Sequence, residues 1–199
     1  MNVSIERGNN MRLHFITGNK GKLEEAKAIL SNYGFEVKMI DLKKVEIQSD
    51  NLEDVAVHAI KLIDNKYAPV FVEDAGLFVE KLKGFPGPYS SYVYKTIGCD
   101  GILKLLEGEK GRSAYFMAVV ALKLPSGEVK VFKGVTRGVI ARVKRGSRGF
   151  GFDPIFVPTG SVQTFAEMDI KEKNLYSHRG KAMRAMAEWI IANLDKFKS

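Results

Sequence analysis

The chain has 199 residues, of which 45% are hydrophobic, and it carries a formal net charge of +8. This length and composition suit one domain with a proper core, or two closely packed lobes. No apolar run approaches the roughly 18 residues of a membrane span, and the single cysteine, Cys99, excludes an intramolecular disulfide and a cysteine-rich zinc site. The positive charge favours polyanionic partners, either a nucleic acid or a nucleoside triphosphate.

The first ten residues are polar and lack a signal-peptide hydrophobic segment. We therefore treat residues 1–10 as an N-terminal extension and residues 11–199 as a single two-lobed domain. The lone cysteine and the lack of a targeting segment lead us to expect a cytoplasmic location.

An apolar run at residues 13–16 predicts a short buried strand. An amphipathic run from Leu23, with Glu24 and Glu25 in its first turn, predicts a helix. The turn between them is rich in glycine, lysine and small polar side chains and consists of Thr17, Gly18, Asn19, Lys20, Gly21 and Lys22. Glycines let backbone N–H groups approach a ligand, and a helix N-terminus presents unpaired N–H groups with a partial positive charge. The turn is therefore suited to binding phosphate.

The same turn has a plainer interpretation. Thr17 and Asn19 are common N-cap residues, and exposed lysines occur on many surfaces. Neither the Walker spacing nor the G-x-G-x-x-G pattern is present. The turn alone leaves phosphate binding and simple helix capping as alternatives.

Further patterns predict a strand at residues 35–40, a polar loop at 41–50, a helix at 52–63 and a buried strand at 69–72. The order strand, helix, strand, helix, strand is typical of an α/β protein with a largely parallel or mixed sheet.

Glu73 and Asp74 follow the buried strand at residues 69–72. Ligand sites in α/β sheets lie beyond the carboxyl ends of strands, so we expect this pair to share a cleft with the turn after the first strand. Successive strand residues point to opposite faces, so one carboxylate should face the cleft and the other should be structural. A carboxylate beside bound phosphates needs an intervening cation, and Mg²⁺ is the natural choice. The alternative is a strand end capped by two exposed acids.

The second half of the chain contains two long β-prone runs, at residues 114–124 and 128–143. They predict a hairpin that extends beyond the α/β core and forms a second lobe. A short helix is predicted before the hairpin, around residues 101–106. A basic, glycine-rich loop follows at residues 144–153, and a final helix is predicted from about Arg179 to Phe197.

The end of the basic loop carries candidate base contacts. Phe150 and Phe152 could stack on nucleobases, and Asp153 could accept a hydrogen bond from a base N–H. The alternative is a hydrophobic plug beneath a loop.

The start of the last helix offers two donors, His178 and Arg179, at a positively polarised end. Ser177 could equally be an ordinary N-cap there. Lys171 and Lys173, a few residues earlier, could be solvated surface residues.

Several stretches occur together in chain order: the turn at residues 17–22, Val72-Glu73-Asp74-Ala75-Gly76, Phe150-Gly151-Phe152-Asp153-Pro154-Ile155-Phe156, and Glu172-Lys173-Asn174 with Ser177-His178-Arg179-Gly180. With them, the chain from Met11 to about Phe197 closely resembles the inosine/xanthosine triphosphate pyrophosphatases, which remove non-standard purine nucleotides.

The resemblance implies an α/β fold of two lobes, with a long mixed sheet flanked by helices and an active-site cleft between the lobes. It implies a homodimeric, Mg²⁺-dependent hydrolase that converts ITP, dITP or XTP into the nucleoside monophosphate and pyrophosphate. Water would attack the α-phosphorus. No membrane and no stable nucleic-acid partner are expected.

The resemblance also implies roles for individual residues. Asp74 would be the catalytic residue, as metal ligand and general base, and Glu46 would be a second metal ligand. The residues that would bind substrate are Thr17, Gly18, Asn19, Lys20, Gly21, Lys22, Ala75, Phe150, Gly151, Phe152, Asp153, Lys173, His178 and Arg179. Three positions depart from the family pattern: Val45 stands where proline is frequent, Ala75 where Ser or Thr is frequent, and Phe152 in place of Tyr or Trp.

Two other classes of protein stay open at this point. A basic RNA- or DNA-binding module would place Lys144, Arg145 and Arg148 on phosphates and the two phenylalanines on bases. That class leaves Asp74 and Glu46 unexplained, because their charges would repel a nucleic-acid backbone. The third class is a nucleotide-binding sensor without catalysis.

Overall fold

A computed structural model describes residues 11–42, 45 and 47–197. The predicted extension at residues 1–10 and the predicted metal ligand Glu46 lie outside the described residues. The strands and α-helices are, in chain order, β1 (Arg12–Ile16), α1 (Lys20–Leu30), β2 (Glu36–Ile40), α2 (Leu52–Lys61), β3 (Val70–Val79), β4 (Pro86–Gly87), α3 (Ser90–Thr96), α4 (Gly98–Leu105), β5 (Ser113–Lys123), β6 (Val129–Ile140), β7 (Phe156–Pro158), α5 (Ile170–Tyr176) and α6 (His178–Ala192). None of these helices is long and apolar enough to cross a membrane.

Within the described residues, seven strands form a mixed sheet in the order β2-β1-β3-β5-β6-β7, with β4 paired to β3. Strand β1 is parallel to both β2 and β3, because α1 and α2 carry the chain back between these strands. The other pairs are antiparallel. The mixed α/β sheet flanked by helices that the sequence predicted is confirmed.

Strand β3 is longer than the sequence indicated. We predicted that it would end at Val72, with Glu73 and Asp74 beyond its end, but both acids lie in the middle of the strand. The prediction was wrong because β5 pairs with β3 along its whole length, and this non-local pairing continues the strand through its acidic residues. Strand β1 pairs only with the start of β3, through His14 and Phe15. The two acids and the turn after β1 are therefore still neighbours.

Helix α1 begins earlier than the amphipathic pattern indicated. Its first residue is Lys20 and its N-cap is Asn19. Glu24 and Glu25 consequently lie beyond the first turn, where we had placed them. Glu24 is exposed, whereas Glu25 points into the protein and is 3% exposed.

The two faces of the sheet are covered by different helices. Helices α1 and α6 pack on one face, where the rings of Phe15 and Phe71 stack with centroids 4.4 Å apart. Helix α2 packs on the opposite face, over Val70 and Val72. A further apolar cluster, the one we call the cluster of the second lobe, includes Leu77, Phe116 and Phe156, and α4 contributes Ile102 to it.

Helix α6 lies directly against strand β6 at Gly134. A Cβ atom at this position would meet two backbone atoms of the helix, the carbonyl oxygen of His178 and the amide nitrogen of Ala182, the latter at 2.6 Å. Backbone atoms cannot turn aside as a flexible side chain can. The position of the helix start, and of His178 and Arg179 with it, therefore depends on the absence of a side chain at Gly134.

We expect Gly134→Ala to destabilise the protein by about 1–3 kcal/mol, the usual cost of overpacking. Urea unfolding measures the loss. Gly111→Ala is the matched control, since a Cβ atom there would meet nothing within 4 Å. Equal stability of the two variants would contradict the close packing of α6 on β6.

Candidate active site

The turn between β1 and α1 is held by its own side chains. The Asn19 side chain accepts a hydrogen bond from the backbone N–H of Lys22 at 3.1 Å, and the Thr17 hydroxyl accepts one from the N–H of Asn19, also at 3.1 Å. The helix-capping interpretation is thus confirmed for Asn19. Gly18, Asn19 and Lys20 are exposed, so the start of α1 is open to solvent. Capping and phosphate binding are compatible, because a helix start has several unpaired N–H groups.

Lys22 connects this turn to the neighbouring strand. Its ammonium group lies 2.8 Å from Oε2 of Glu73 in β3. The lysine side chain is 18% exposed, while that of Glu73 is fully buried. The pair brings the predicted phosphate turn and the acidic part of β3 into direct contact, as expected for residues of one cleft.

Behind this pair lies a set of buried ionised side chains, which we call the buried charge cluster. The cluster consists of Glu25, Glu73, Asp153, Lys173 and Arg179, and each of these residues is at most 3% exposed. Lys173 lies 2.6 Å from Glu25 and 2.5 Å from Asp153. Arg179 lies 2.5 Å from Glu25 and 3.0 Å from Glu73. With Lys22 at its edge, three acidic side chains face three basic ones.

The pKa values follow from burial and from this pairing. Burial acts to raise the pKa of Glu25, but the charges of Arg179 and Lys173 outweigh it and lower that pKa. Burial raises the pKa of Asp153, which has Lys173 as its cationic partner and the charge of Glu25 nearby. Burial acts to lower the pKa of Arg179, yet Glu73 and Glu25 raise it. Arg179 is therefore a permanent cation in this site.

Phe150 lies over the cations of the cluster. The centroid of its ring is 4.8 Å from the ammonium group of Lys173 and 5.2 Å from the guanidinium carbon of Arg179. Its backbone N–H donates to Asp153 at 2.8 Å. The ring is half-buried, so it keeps surface on which a base could stack. A base contact by Phe150 stays a prediction.

Phe152 has a different environment from Phe150. It is 3% exposed, and its ring meets that of Tyr94 edge-on with centroids 5.4 Å apart. It belongs to the apolar cluster of the second lobe, which agrees with the plug interpretation for this residue. Gly151, between the two phenylalanines, has a positive φ of 62° that turns the chain.

His178 is buried at the start of α6 and stacks on Phe116, with ring centroids 4.6 Å apart and planes 9° apart. Burial, helped by the charges of Arg179 and Lys173, lowers its pKa well below 6.5. The imidazole is therefore neutral at physiological pH and offers one donor and one acceptor. Its Nδ1 atom makes no hydrogen bond to any described residue. Ser177 is the N-cap that we had considered, since its hydroxyl accepts from the N–H of Gly180.

Asp74 lies on the opposite face of β3 from Glu73. It is half-buried, and its Oδ1 accepts from the N–H of Ala75 at 3.2 Å. Through β5, the register places Asp74 level with Lys133 of β6. Among the described residues, no three or more His, Cys, Asp or Glu side chains are arranged so that they could hold a metal ion. The predicted second metal ligand, Glu46, lies outside these residues.

Glu25 is the site residue that the sequence did not reveal. The chain brings it to Lys173 across 148 positions and to Arg179 across 154. The available signal was an acidic residue next to Ala26 and four positions before Ile29, on the apolar side of α1. For Lys173, the sequence left two alternatives, a substrate-binding residue and a solvated surface residue. Its burial contradicts the surface alternative.

The cations proposed for nucleic-acid binding contact the protein itself. Lys144 pairs with Asp100 at 2.9 Å. Arg145 donates to the carbonyl oxygen of Val162, and Arg148 donates to that of Glu167. These contacts organise the loop at residues 144–153 and weaken the case for a nucleic-acid surface.

The described structure is a mixed α/β protein with a deeply buried charge cluster built from α1, β3, α5, α6 and Asp153. The chain belongs to the Ham1 family, whose sequence model matches residues 13–189. The family resemblance that the motifs indicated is thereby confirmed.

Curated relatives cover nearly the whole chain. A protein of Pyrococcus horikoshii named dITP/XTP pyrophosphatase is 51% identical over 185 residues, which are 92% of this chain and 99% of that protein. A protein of Hyperthermus butylicus with the same name is 55% identical over 175 residues, 87% of this chain and 92% of that protein.

Solved structures agree with the fold. The Ham1 protein of Staphylococcus aureus superposes with a TM-score of 0.76 at 29% identity, covering 91% of this chain and 98% of its own. A nucleoside-triphosphatase / dITP/XTP pyrophosphatase of Mycobacterium abscessus superposes with a TM-score of 0.66 at 31% identity, covering 88% and 97%.

We expect Glu25→Gln to reduce the free energy of unfolding by about 3–5 kcal/mol, because it leaves the buried cations Lys173 and Arg179 with one carboxylate fewer. Chemical denaturation at neutral pH measures the loss. The control is Glu24→Gln, which changes the exposed neighbour and should move stability by no more than about 0.5 kcal/mol. Similar losses in the two variants would show that Glu25 does not hold the cluster.

Proposed function

We propose that this protein hydrolyses non-standard purine nucleoside triphosphates, namely dITP, ITP and XTP, to the nucleoside monophosphate and pyrophosphate. The observation that carries the proposal is the identity of 51–55% with proteins named dITP/XTP pyrophosphatase, over 87–92% of this chain. The site adds support, since a helix start, buried cations and a half-exposed aromatic ring lie side by side. The enzyme would remove these nucleotides from the nucleotide pool of the cytoplasm.

The phosphate chain is assigned to the start of α1. Gly18 and Lys20 are exposed and present backbone N–H groups at the start of the helix, whereas the N–H of Asn19 donates to Thr17; the helix dipole favours an anion there. Lys20 and Lys22 add positive charge. Because Lys22 already pairs with Glu73 at 2.8 Å, it reaches the phosphates from a fixed position rather than as a free side chain.

The base is assigned to the ring of Phe150 and the buried groups near it. Hypoxanthine and xanthine accept a hydrogen bond at O6 and donate from N1, whereas adenine donates from its 6-amino group and has no N1–H. Arg179 can only donate, so an adenine amino group directed at it would find no acceptor. Lys173 and His178 supply further donors, and Asp153 supplies an acceptor. Mismatches of this kind can discriminate by about 10⁴-fold.

The metal is proposed to be Mg²⁺, with Asp74 as its described ligand and Glu46 as a second carboxylate. The donor set fits, because Mg²⁺ prefers oxygen ligands and commonly combines one or two carboxylates with substrate phosphates and water. Asp74 is half-buried on the face of β3 opposite the buried charge cluster, and Glu73 is committed to Arg179 and Lys22. A bound Mg²⁺ ion would neutralise phosphate charge at the bond that breaks.

In the proposed reaction, water attacks the α-phosphorus and the bond between the α-phosphorus and its bridging oxygen breaks. Asp74 orients that water and takes its proton. The turn at residues 17–22 holds the β- and γ-phosphates, which leave together as pyrophosphate. Phe150 and the buried donors fix the nucleoside, so the α-phosphorus is held near Asp74.

A panel of triphosphates with Mg²⁺ tests this function. Purified protein is incubated with dITP, XTP, dGTP and dATP, and pyrophosphate and orthophosphate are measured separately. Pyrophosphate as the first product, with dITP and XTP far ahead of dATP, is the expected result. Orthophosphate as the first product would mean attack at the γ-phosphorus, and no turnover of any member would refute the proposed hydrolase.

We expect Asp74→Asn to lower kcat for dITP by at least about 10²-fold, because the amide cannot accept the proton of the attacking water. Circular dichroism should show an unchanged fold, since Asn keeps the shape of the side chain. Asp195→Asn, at an exposed position near the C-terminus, is the control. Near wild-type turnover by Asp74→Asn would remove this residue from the mechanism.

We further propose that the protein is a homodimer. Large exposed apolar side chains gather between residues 85 and 97, and they are Phe85, Tyr89, Tyr92, Tyr94 and Ile97, at 40–69% exposure. Such a patch is larger than single exposed residues and is typical of an interface. Sedimentation equilibrium should give twice the mass of one chain, and Tyr92→Glu should shift it toward the monomer. A wild-type monomer at micromolar concentration would contradict the proposal.

A further inference from the structure

Gly21, in the first turn of α1, lies against the ring of Phe150. A Cβ atom at Gly21 would be 2.6 Å from Cδ1 and 2.9 Å from Cε1 of that ring. Gly18, the other glycine of the same turn, has only Asp41 Oδ1 near its Cβ position, at 3.9 Å. The two glycines, which look equivalent in the sequence, therefore have different surroundings.

The ring of Phe150 has little freedom to move away. Lys173 and Arg179 lie on it at 4.8 and 5.2 Å, and ion pairs of the buried charge cluster fix both cations. The Phe150 N–H is bound to Asp153. Gly149, just before it, has a positive φ of 73° and lies against the same carboxylate.

We propose that Gly21 is a positioning residue for base recognition: the absence of its side chain places the ring of Phe150, and so couples the phosphate-binding turn of one lobe to the base-binding loop of the other. This inference rests on the proposed function, because it takes Phe150 as the ring on which the base stacks. It gives Gly21 a role distinct from the backbone approach to phosphate that its place in the turn suggests.

The physical reason is contact distance. Carbon atoms in favourable contact are about 3.5–4.0 Å apart, so a methyl group at Gly21 would displace the ring by about 1 Å. The cations on the ring cannot follow, because their partners are buried. The displaced ring would present a different face to the base, and loss of one base stack corresponds to roughly a 5- to 160-fold change in binding.

Kinetics separate this role from phosphate binding. In Gly21→Ala the KM for dITP should rise roughly tenfold, by a larger factor than the inhibition constant of inorganic triphosphate, which has no base. In Gly18→Ala the inhibition constant should rise at least as much as the KM. Phe150→Ala combined with Gly21→Ala should be no worse than Phe150→Ala alone, whereas losses from Gly18→Ala and Phe150→Ala should multiply. The inference would be overturned if the fold losses of Gly21→Ala and Phe150→Ala multiplied in the double variant.

A thermal unfolding cycle tests the contact without any substrate. Alanine is a better helix former than glycine, so Gly21→Ala should raise Tm in the Phe150→Ala background, where the ring is gone and Asn19 Oδ1, at 3.3 Å, is the one atom left of the three nearest to the Cβ position. With Phe150 present, the same substitution should lower Tm. A change of the same sign in both backgrounds would overturn the inference. Wild-type protein that releases no pyrophosphate would refute the proposed function instead, and the two failures are thus distinguishable.

Discussion

The buried charge cluster is the constraint on which the rest of this structure depends. Each of its ions is almost completely removed from water, and the desolvation of any one of them is offset only by the others. Glu25 belongs to α1, Glu73 to β3, Lys173 to α5 and Arg179 to α6. Four elements from both ends of the chain must therefore be in place together before any of these charges is satisfied. The cluster thus joins α1, near the start of the chain, to α5 and α6, near its end.

The same pairing makes the site rigid before substrate arrives. Arg179 and Lys173 are held by carboxylates on one side and are covered by Phe150 on the other. A donor that cannot turn away offers the same hydrogen bond to every base, so a base with the wrong pattern leaves it unpaired in a site of low polarity. On the proposed function, discrimination among purines would follow from this immobility as much as from the identity of the donors.

Apolar periodicity, glycines and capping residues predicted those helices and strands whose ends depend on neighbouring residues in the sequence. The first strand, α2, the long hairpin and the last helix all follow from apolar periodicity, and the turn at residues 17–22 follows from its glycines and caps. The extent of β3 did not, because Glu73 and Asp74 resemble a strand end until β5 pairs with them. Glu25 was missed for a similar reason: its partners are about 150 positions away, and its place on the apolar side of α1 does not by itself show what it pairs with.

Because the two adjacent acids Glu73 and Asp74 lie within β3 and not beyond its end, their like charges are kept apart. Side chains alternate along a strand, so Glu73 enters the buried charge cluster and Asp74 points to the opposite face. Arg179 and Lys22 pair with Glu73 on its own face of the strand. Had the strand ended at Val72, both carboxylates would project into one polar cleft. Pairing with β5 therefore places the carboxylates of Glu73 and Asp74 on opposite faces of the sheet, although the two residues are adjacent in the chain.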